Sequence, residues 1–165
     1  MPILDPHSLE FLSRSADQTR RVGMRLGAFL QTGDLVCLVG ELGSGKTTFM
    51  QGVAAGWGSL DSVSSPSFVL VNVYRGAREQ RLFHLDAYRL KGPAEAEELD
   101  VDAMLEHGPL VVEWAERIKA ALPAEHLWIS LRWIDVSQRD MVFAARGPRY
   151  QQVLSSFRKQ IYGVM

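Results

Sequence analysis

The sequence has little cysteine, almost no net charge and no apolar run long enough to cross a membrane. Its single cysteine, Cys37, excludes an internal disulfide and a zinc site built from cysteines, as is typical of a reducing compartment. Lys and Arg number 18 against 19 Asp and Glu, so the net charge of -1 provides no overall field that attracts nucleic acid. The first residues lack a basic segment followed by an apolar one. We therefore expect a soluble, cytoplasmic protein without a membrane contact, whose connection to RNA is indirect or local.

Three segments predict a helix, a strand and a second helix in succession. Ser15 followed by Gln18 matches a capping box, and apolar residues then recur at helical spacing, which predicts a helix over 16–31. The run 35–39 is short, wholly apolar and followed by glycines, as in a strand buried on both faces of a parallel sheet. Residues 46–57 contain no proline and close on a glycine, which predicts a helix that begins inside the glycine-rich loop.

The remaining elements predict an α/β fold. Two β-rich runs at 69–74 and 81–85 flank a polar stretch and predict an antiparallel hairpin. The other predicted elements are a short helix from Pro93, a buried strand at 110–112, late strands at 127–133 and 141–145, and a closing helix at 150–161. We expect a single P-loop NTPase domain over residues 1–165, with a mostly parallel central sheet, antiparallel additions and helices on both faces.

Residues 40–47 match the GxxxxGKT pattern of a phosphate-binding loop. Glycines let the backbone curl so that successive N–H groups face one anion, and the following helix directs its N-terminus at the same point. Lys46 is placed to reach the β and γ phosphates, and the Thr47 hydroxyl is placed to bind Mg²⁺. The motif therefore predicts binding of a nucleoside triphosphate with magnesium, and its hydrolysis.

Two acidic residues follow predicted strands at the edge where ligands bind in such sheets. Asp86 comes after the run 82–85, and Glu113 comes after 110–112. A P-loop enzyme needs such a carboxylate to hold magnesium directly or through water, and Glu113 can alternatively orient the attacking water. Either acid can instead simply cap a turn, and the sequence leaves open which of them contacts the metal.

Other candidates have a functional and a structural interpretation. Residues 64–68, Ser-Ser-Pro-Ser-Phe, lie where many P-loop proteins carry a segment that senses the γ phosphate, but they also suit a turn before a strand. His84 can carry a proton, yet a packed, hydrogen-bonded imidazole is favoured in an apolar strand. Trp114 can stack on a base or belong to the core. Arg139 can contact phosphate or base, or be a surface charge.

Five segments, in order and in register, together resemble the TsaE (YjeE) family of small bacterial ATPases over about residues 10–145. The segments are 40–49 (GELGSGKTTF), 65–68 (SPSF), 84–90 (HLDAYRL), 97–99 (EEL) and 113–114 (EW). The resemblance implies a role in making threonylcarbamoyladenosine, the modified nucleoside beside the anticodon of certain tRNAs. It also implies action with a TsaB–TsaD heterodimer, through which tRNA is met only indirectly, and ATP hydrolysis that supports repeated turnover of that complex.

The resemblance assigns roles by matching position. Lys46, Asp86 and Glu113 would be the catalytic group, and Thr47 would join the two acids as a ligand of Mg²⁺. Ser67 stands where the family usually has threonine, which keeps the hydroxyl. Thr19 and Arg139 would lie near the base. The expected contacts with ATP are Glu41, Gly43, Ser44, Gly45, Lys46, Thr47, Thr48, Ser67, Trp114, Thr19 and Arg139.

Two other functions remain alternatives. A small-molecule kinase of the nucleoside type would also join a P-loop to a compact α/β sheet, but neither its arginine-bearing lid nor its acceptor pocket is identifiable. A non-catalytic switch would bind nucleotide and signal by shape. The absence of an Asn-Lys-x-Asp motif, which reads guanine, counts against a GTPase. Whether the chain self-associates is not indicated by the sequence.

Overall fold

A computed structural model of the protein describes residues 6–63 and 70–162. The predictions that fall on residues 64–69, including Ser67, lie outside the described residues. Within the described part, no helix has the length and apolar character needed to cross a bilayer. The strands are β1 (Ser8–Ser13), β2 (Leu35–Val39), β3 (Val71–Arg75), β4 (Arg81–Asp86), β5 (Leu110–Glu113), β6 (His126–Trp133) and β7 (Arg139–Arg146). The α-helices are α1 (Ala16–Gly27), α2 (Lys46–Trp57), α3 (Pro93–Glu97), α4 (Val101–His107) and α5 (Pro148–Ile161). Short 3₁₀ turns are found at Ala77–Glu79, Ala115–Arg117 and Lys119–Ala121.

The described strands form one mixed sheet in the order β1-β7-β6-β2-β5-β4-β3. Strands β4, β5, β2 and β6 are parallel and occupy the centre. Antiparallel pairing adds β7 and β1 on one side and β3 on the other. The expectation of a mostly parallel sheet therefore needs correction, because only half of the pairings are parallel. The two hairpins have connections too short for a parallel crossover, and β1, which the sequence did not predict, extends one edge.

Most predicted elements are present, and their boundaries differ for local reasons. Strand β2 and helix α2 have the predicted bounds. Helix α1 begins as expected, since the Ser15 hydroxyl accepts a hydrogen bond from the Gln18 N–H at 3.0 Å. It ends at Gly27, before the predicted residue 31, because Phe29 and Leu30 form tighter turns. Helix α4 was not predicted, whereas the predicted late strands and closing helix are confirmed.

Hydrophobic residues fill both faces of the sheet. One cluster joins α1, α2 and α5 to the sheet and includes the fully buried Phe49, Phe143 and Phe157. The other lies on the opposite face and includes Cys37, which is fully buried as predicted. Burial raises the pKa of the Cys37 thiol to about 12, so that the side chain stays protonated and behaves as an apolar group.

Helices α1 and α2 pack backbone to backbone. A Cβ atom added at Gly52 would lie 1.9 Å from the carbonyl oxygen of Arg20, and one added at Gly56 would lie 1.9 Å from that of Met24. The contact uses four glycines, Gly23 and Gly27 on α1 and Gly52 and Gly56 on α2. Because α2 is the helix that follows the P-loop motif, this contact fixes the helix whose N-terminus faces the expected phosphates.

The closing helix holds the start of β2. The Tyr150 hydroxyl accepts a hydrogen bond from the Leu35 N–H at 2.9 Å. Arg149 forms two hydrogen bonds with the Asp34 carboxylate, at 3.0 and 2.8 Å, and another with the Phe29 carbonyl oxygen. Helix α5 therefore anchors the strand that leads into the P-loop, although it lies beyond the residues covered by the sequence resemblance.

Replacing Gly52 by alanine should destabilise the protein by about 1–3 kcal/mol, because overpacking at this contact can be relieved only by separating the helices. Urea unfolding measures the change. The matched control is Gly92→Ala, since Gly92 has an extended φ of 169° and no atom of the described residues lies within 4 Å of an added Cβ. Equal stability of the two variants would contradict the close packing of α1 on α2.

Candidate nucleotide-binding site

The loop between β2 and α2 has the backbone shape of a phosphate-binding loop. Gly40, Gly43 and Gly45 have φ angles of 151°, 81° and 103°, in the region that favours glycine. At Gly40 a side chain is also excluded by space, since an added Cβ would lie 2.5 Å from the Leu131 carbonyl oxygen. Helix α2 starts at Lys46, so its first N–H groups open toward the loop. The three glycines of the motif are therefore required by conformation.

A cavity of about 360 Å³ lies over this loop. It brings together most of the residues that the sequence predicted for the site. Its lining consists of Glu41, Leu42, Gly43, Ser44, Gly45, Lys46, Thr47, Thr48, Asp86, Glu113, Trp114 and Arg139. Leu42 was not predicted, and its side chain is 79% exposed.

Asp86 and Glu113 meet because their strands are parallel and in register. The last residues of β4 and β5 are directly paired, Asp86 with Glu113, so both carboxylates lie at the sheet edge that carries the loop. Burial raises the pKa of the Asp86 carboxyl, and the negative charge of Glu113 raises it further. A cation shared by the two carboxylates would offset the cost of the Asp86 charge.

The donor set fits Mg²⁺ bound together with phosphate. Among the described residues, no group of three or more His, Cys, Asp or Glu side chains is arranged to hold a metal. Mg²⁺ is commonly held by one or two carboxylates together with phosphates and water. Asp86, Glu113 and the Thr47 hydroxyl supply such a partial set at the edge of the cavity.

Lys46 is buried at the loop and is 6% exposed. Its ammonium group donates to the carbonyl oxygens of Gly40 and Glu41 and lies 4.0 Å from the centre of a Trp114 ring. Burial lowers the pKa of Lys46, while the charges of Glu113 and two further acids raise it. The Lys46 ammonium group is thus held at the loop by two backbone carbonyls and by the face of the Trp114 ring.

Two buried polar atoms next to the loop also suit an anionic ligand. Arg139 packs beside Gly45, and its Nη1 donates to the carbonyl oxygens of Asp135 and Gln138 at 2.7 and 2.9 Å. Within residues 6–63 and 70–162, no partner is found for the buried Nε of Arg139 or the buried Oγ of Ser44. Unpaired buried donors are costly, so a ligand that accepts hydrogen bonds would be stabilised here.

Thr19 does not line the cavity. Its side chain is buried, with 1% exposure, and its hydroxyl lies 2.6 Å from the Ser13 hydroxyl. This hydrogen bond joins α1 to the end of β1. It occupies the Thr19 hydroxyl, which was expected to lie near the base of the nucleotide. The resemblance alone placed Thr19 in the site, and the structure does not bring it there.

Sequence reasoning missed one hydrogen-bonded chain behind the site. His84 is buried between two polar groups, with Nε2 2.5 Å from the Glu113 Oε2 and Nδ1 2.9 Å from the Tyr74 hydroxyl. The favoured interpretation of His84 as a packed, hydrogen-bonded residue is therefore confirmed. Tyr74 carried no functional prediction. The available signal was periodicity, because His84 and Asp86 are two residues apart on one strand and share a face.

Comparison with known proteins finds similar chains along most of the sequence. A family model described as "Threonylcarbamoyl adenosine biosynthesis protein TsaE" matches residues 13–141. A tRNA threonylcarbamoyladenosine biosynthesis protein TsaE from Bacillus subtilis is 34% identical over 146 residues, covering 88% of this chain and 90% of the relative. One from Treponema pallidum is 37% identical over 134 residues, covering 81% and 98%. The crystal structure of Bacillus subtilis YdiB has a TM-score of 0.78 at 29% identity and covers 93% of this chain and 96% of that one.

The electrostatics of the site predict that Asp86→Asn raises the melting temperature of the nucleotide-free protein in EDTA at pH 7. A carboxyl whose pKa is raised on folding makes its ionised form costly, and this cost is present in full above the raised pKa. Asparagine removes the charge and keeps the oxygen that accepts from the Tyr88 N–H. Thermal unfolding measures the change.

Asp61→Asn is the matched control of opposite sign. Hydrogen bonds from Arg75 lower the pKa of Asp61 to about 2, so its contribution is present above its ordinary pKa of about 4 and is lost as the pH falls toward 2. The Asp61 variant should therefore melt below the wild type at pH 7. An Asp86 variant that also melts below the wild type would show that the carboxylate is not under strain.

Proposed function

Because the chain belongs to the TsaE family of tRNA threonylcarbamoyladenosine biosynthesis proteins, we propose that it acts there as a magnesium-dependent ATPase. The observation that carries the proposal is the meeting of three elements at one sheet edge. The P-loop with Lys46 supplies donors for phosphates, and Asp86 and Glu113 supply acceptors for a cation. A structural P-loop would have no need of paired, partly buried carboxylates opposite its lysine.

The residues divide the work of binding and hydrolysis. The loop N–H groups and Lys46 bind the β and γ phosphates. The Thr47 hydroxyl and Asp86 hold the Mg²⁺ ion beside these phosphates. Bound Mg²⁺ would neutralise the charge that develops on the phosphate oxygens. Glu113 lies beside Asp86, and we assign it to orient the attacking water, with cation binding through water as a second role.

Trp114 and Arg139 complete the walls of the cavity. Trp114 adopts a left-handed conformation, with a φ of 57°, directly after Glu113, and its ring faces the Lys46 ammonium. Non-glycine residues rarely adopt this conformation, and such strain concentrates at functional sites. Arg139 approaches the loop from β7 and places beside Gly45 an Nε that has no hydrogen-bond partner among the described residues. We propose that both side chains contact the nucleotide.

A partner protein is proposed to meet the same edge of the molecule. Leu42 on the loop and Val136 on the β6–β7 turn are 79% and 88% exposed. Arg139 connects that turn to the cavity, since its Nη1 donates to the carbonyl oxygen of Asp135. Exposed apolar side chains beside a nucleotide site suit a partner that responds to the nucleotide. We propose the TsaB–TsaD heterodimer as this partner, in the cytoplasm, with tRNA met only through it.

Lys46→Ala and Glu113→Ala should separate binding from hydrolysis. Without Lys46 the phosphates lose a cationic donor, so the affinity for ATP with Mg²⁺ should fall by at least about tenfold. Without Glu113 hydrolysis should fall by about a hundredfold while affinity changes less. Titration with a fluorescent ATP analogue and phosphate release measure the two quantities. Equal turnover by the Glu113 variant would remove this residue from the mechanism.

Coupling to the partner is tested by measuring ATP hydrolysis with and without the purified TsaB–TsaD pair. The isolated protein should hydrolyse ATP slowly, and adding the pair should change the rate of hydrolysis or the affinity for nucleotide. The reason is that a partner bound on the exposed apolar residues beside the cavity would add contacts that complete the site. The Lys46→Ala variant is the control for hydrolysis by the pair itself. Identical rates and affinities with and without the pair would disprove the coupling.

A further inference from the structure

A buried chain of hydrogen bonds crosses three neighbouring strands and ends at Glu113. Tyr74 on β3, His84 on β4 and Glu113 on β5 are 4%, 1% and 5% exposed. The Tyr74 hydroxyl lies 2.9 Å from the His84 Nδ1, and the His84 Nε2 lies 2.5 Å from the Glu113 Oε2. All three groups are buried, so their hydrogen bonds are strengthened by the low local dielectric.

Strand register places the three side chains on one face of the sheet. His84 is paired with Asn72 on β3, and Asp86 is paired with Glu113 on β5. Tyr74 and Asn72 are two residues apart on their strand, as are His84 and Asp86, so each pair points to the same side. The chain therefore runs diagonally from strand to strand. It depends on backbone pairing within the sheet and not on a mobile loop.

The partners assign the proton positions on the imidazole. An ionised carboxylate only accepts hydrogen bonds, so Nε2 of His84 must carry the hydrogen that faces Glu113. The neutral ring then has its acceptor at Nδ1, and the Tyr74 hydroxyl donates to it. The Glu113 carboxylate therefore selects the tautomer, and the Tyr74 hydroxyl supplies the donor for the nitrogen that remains.

We propose that Tyr74 and His84 are positioning residues that hold the Glu113 carboxylate for catalysis, an inference that rests on the proposed function. The Tyr74 hydroxyl donates to Nδ1 and so holds the orientation of the His84 imidazole, and His84 holds one carboxylate oxygen of Glu113. Glu113 lines the cavity, and we assign its other carboxylate oxygen to accept the hydrogen bond of the attacking water. Partners of this kind typically change activity by about 10- to 100-fold when removed.

His84→Gln and His84→Asn form a matched pair of variants. The glutamine amide nitrogen reaches the position of the imidazole Nε2 and can still donate to Glu113, whereas the asparagine nitrogen corresponds to Nδ1 and cannot reach it. We expect kcat to fall by about 10- to 100-fold in the asparagine variant and clearly less in the glutamine variant. The Kd for ATP with Mg²⁺ should stay within about twofold in both.

A double variant tests whether His84 acts through Glu113. In the Glu113→Ala background, His84→Asn should cause no further loss of the single-turnover rate, measured with protein in excess over labelled ATP. A further loss as large as in the wild-type background would overturn the inference, because His84 would then act independently. Equal rates for the asparagine and glutamine variants would overturn it as well.

Tyr74→Phe provides a readout that does not involve activity. Nitrogen-15 spectra of the labelled protein should show the Nε2–H tautomer of His84 in the wild type and in the Tyr74 variant, because the Glu113 carboxylate accepts from Nε2 in both. The Nδ1 resonance should shift in the variant, because Nδ1 loses its hydrogen-bond donor. His84 is identified among the four histidines by the loss of its signals in His84→Gln. An Nδ1–H tautomer in the wild type would overturn the inference.

These outcomes separate the inference from the function on which it rests. Full turnover by Glu113→Ala would remove the proposed role of Glu113 and this inference together. Full turnover by His84→Asn, combined with an impaired Glu113→Ala, would overturn the positioning role alone and leave the ATPase assignment intact.

Discussion

Parallel pairing of β2, β5 and β4 brings the P-loop, Glu113 and Asp86 to one edge of the sheet. The pairing of Leu38 with Glu113 and of Asp86 with Glu113 also fixes the face on which each side chain lies. Side chains alternate along a strand, so a shift of register by one residue would turn the Glu113 carboxylate away from Lys46. The site therefore depends on register, which is specified by strands that are buried on both faces.

The local parts of this arrangement could be predicted because local features specify them. The apolar run of β2, the glycines of the loop and the proline-free helix α2 are determined by neighbours in sequence, and their bounds were predicted correctly. Asp86 and Glu113 were found because each follows an apolar run. The contribution of Tyr74 was not predictable, since a diagonal contact between strands exists only once register is known.

The remaining differences have equally specific causes. Strand β1 is an edge strand with an exposed Leu12, so its hydrophobic alternation is weak. Thr19 was assigned to the site by resemblance, but its hydroxyl is buried against Ser13. The expected role of Ser67 stays a prediction, because the residue lies outside the described part of the chain.

The site concentrates groups that oppose folding. Burial disfavours the charge on Lys46, and burial together with Glu113 disfavours the charge on Asp86. Functional sites commonly contain side chains that destabilise the fold, and packing elsewhere in the structure must offset this loss of stability. Here the contact of α1 with α2 supplies dispersion energy along the helix that follows the loop, since glycines allow the two backbones to touch.

Helix α5 contributes to the site from beyond the residues that the family model matches. The family model ends at residue 141, within β7, whereas Tyr150 and Arg149 hold Leu35 and Asp34 at the start of β2. Strand β2 leads directly into the loop, so a displacement at its start would be transmitted through a rigid, buried strand. The chemistry of the site requires particular side chains at the sheet edge. The contact of α5 with the start of β2 requires only the Tyr150 hydroxyl and the Arg149 guanidinium in suitable places. The position of the loop therefore also depends on two side chains of α5 that lie beyond the residues matched by the family model.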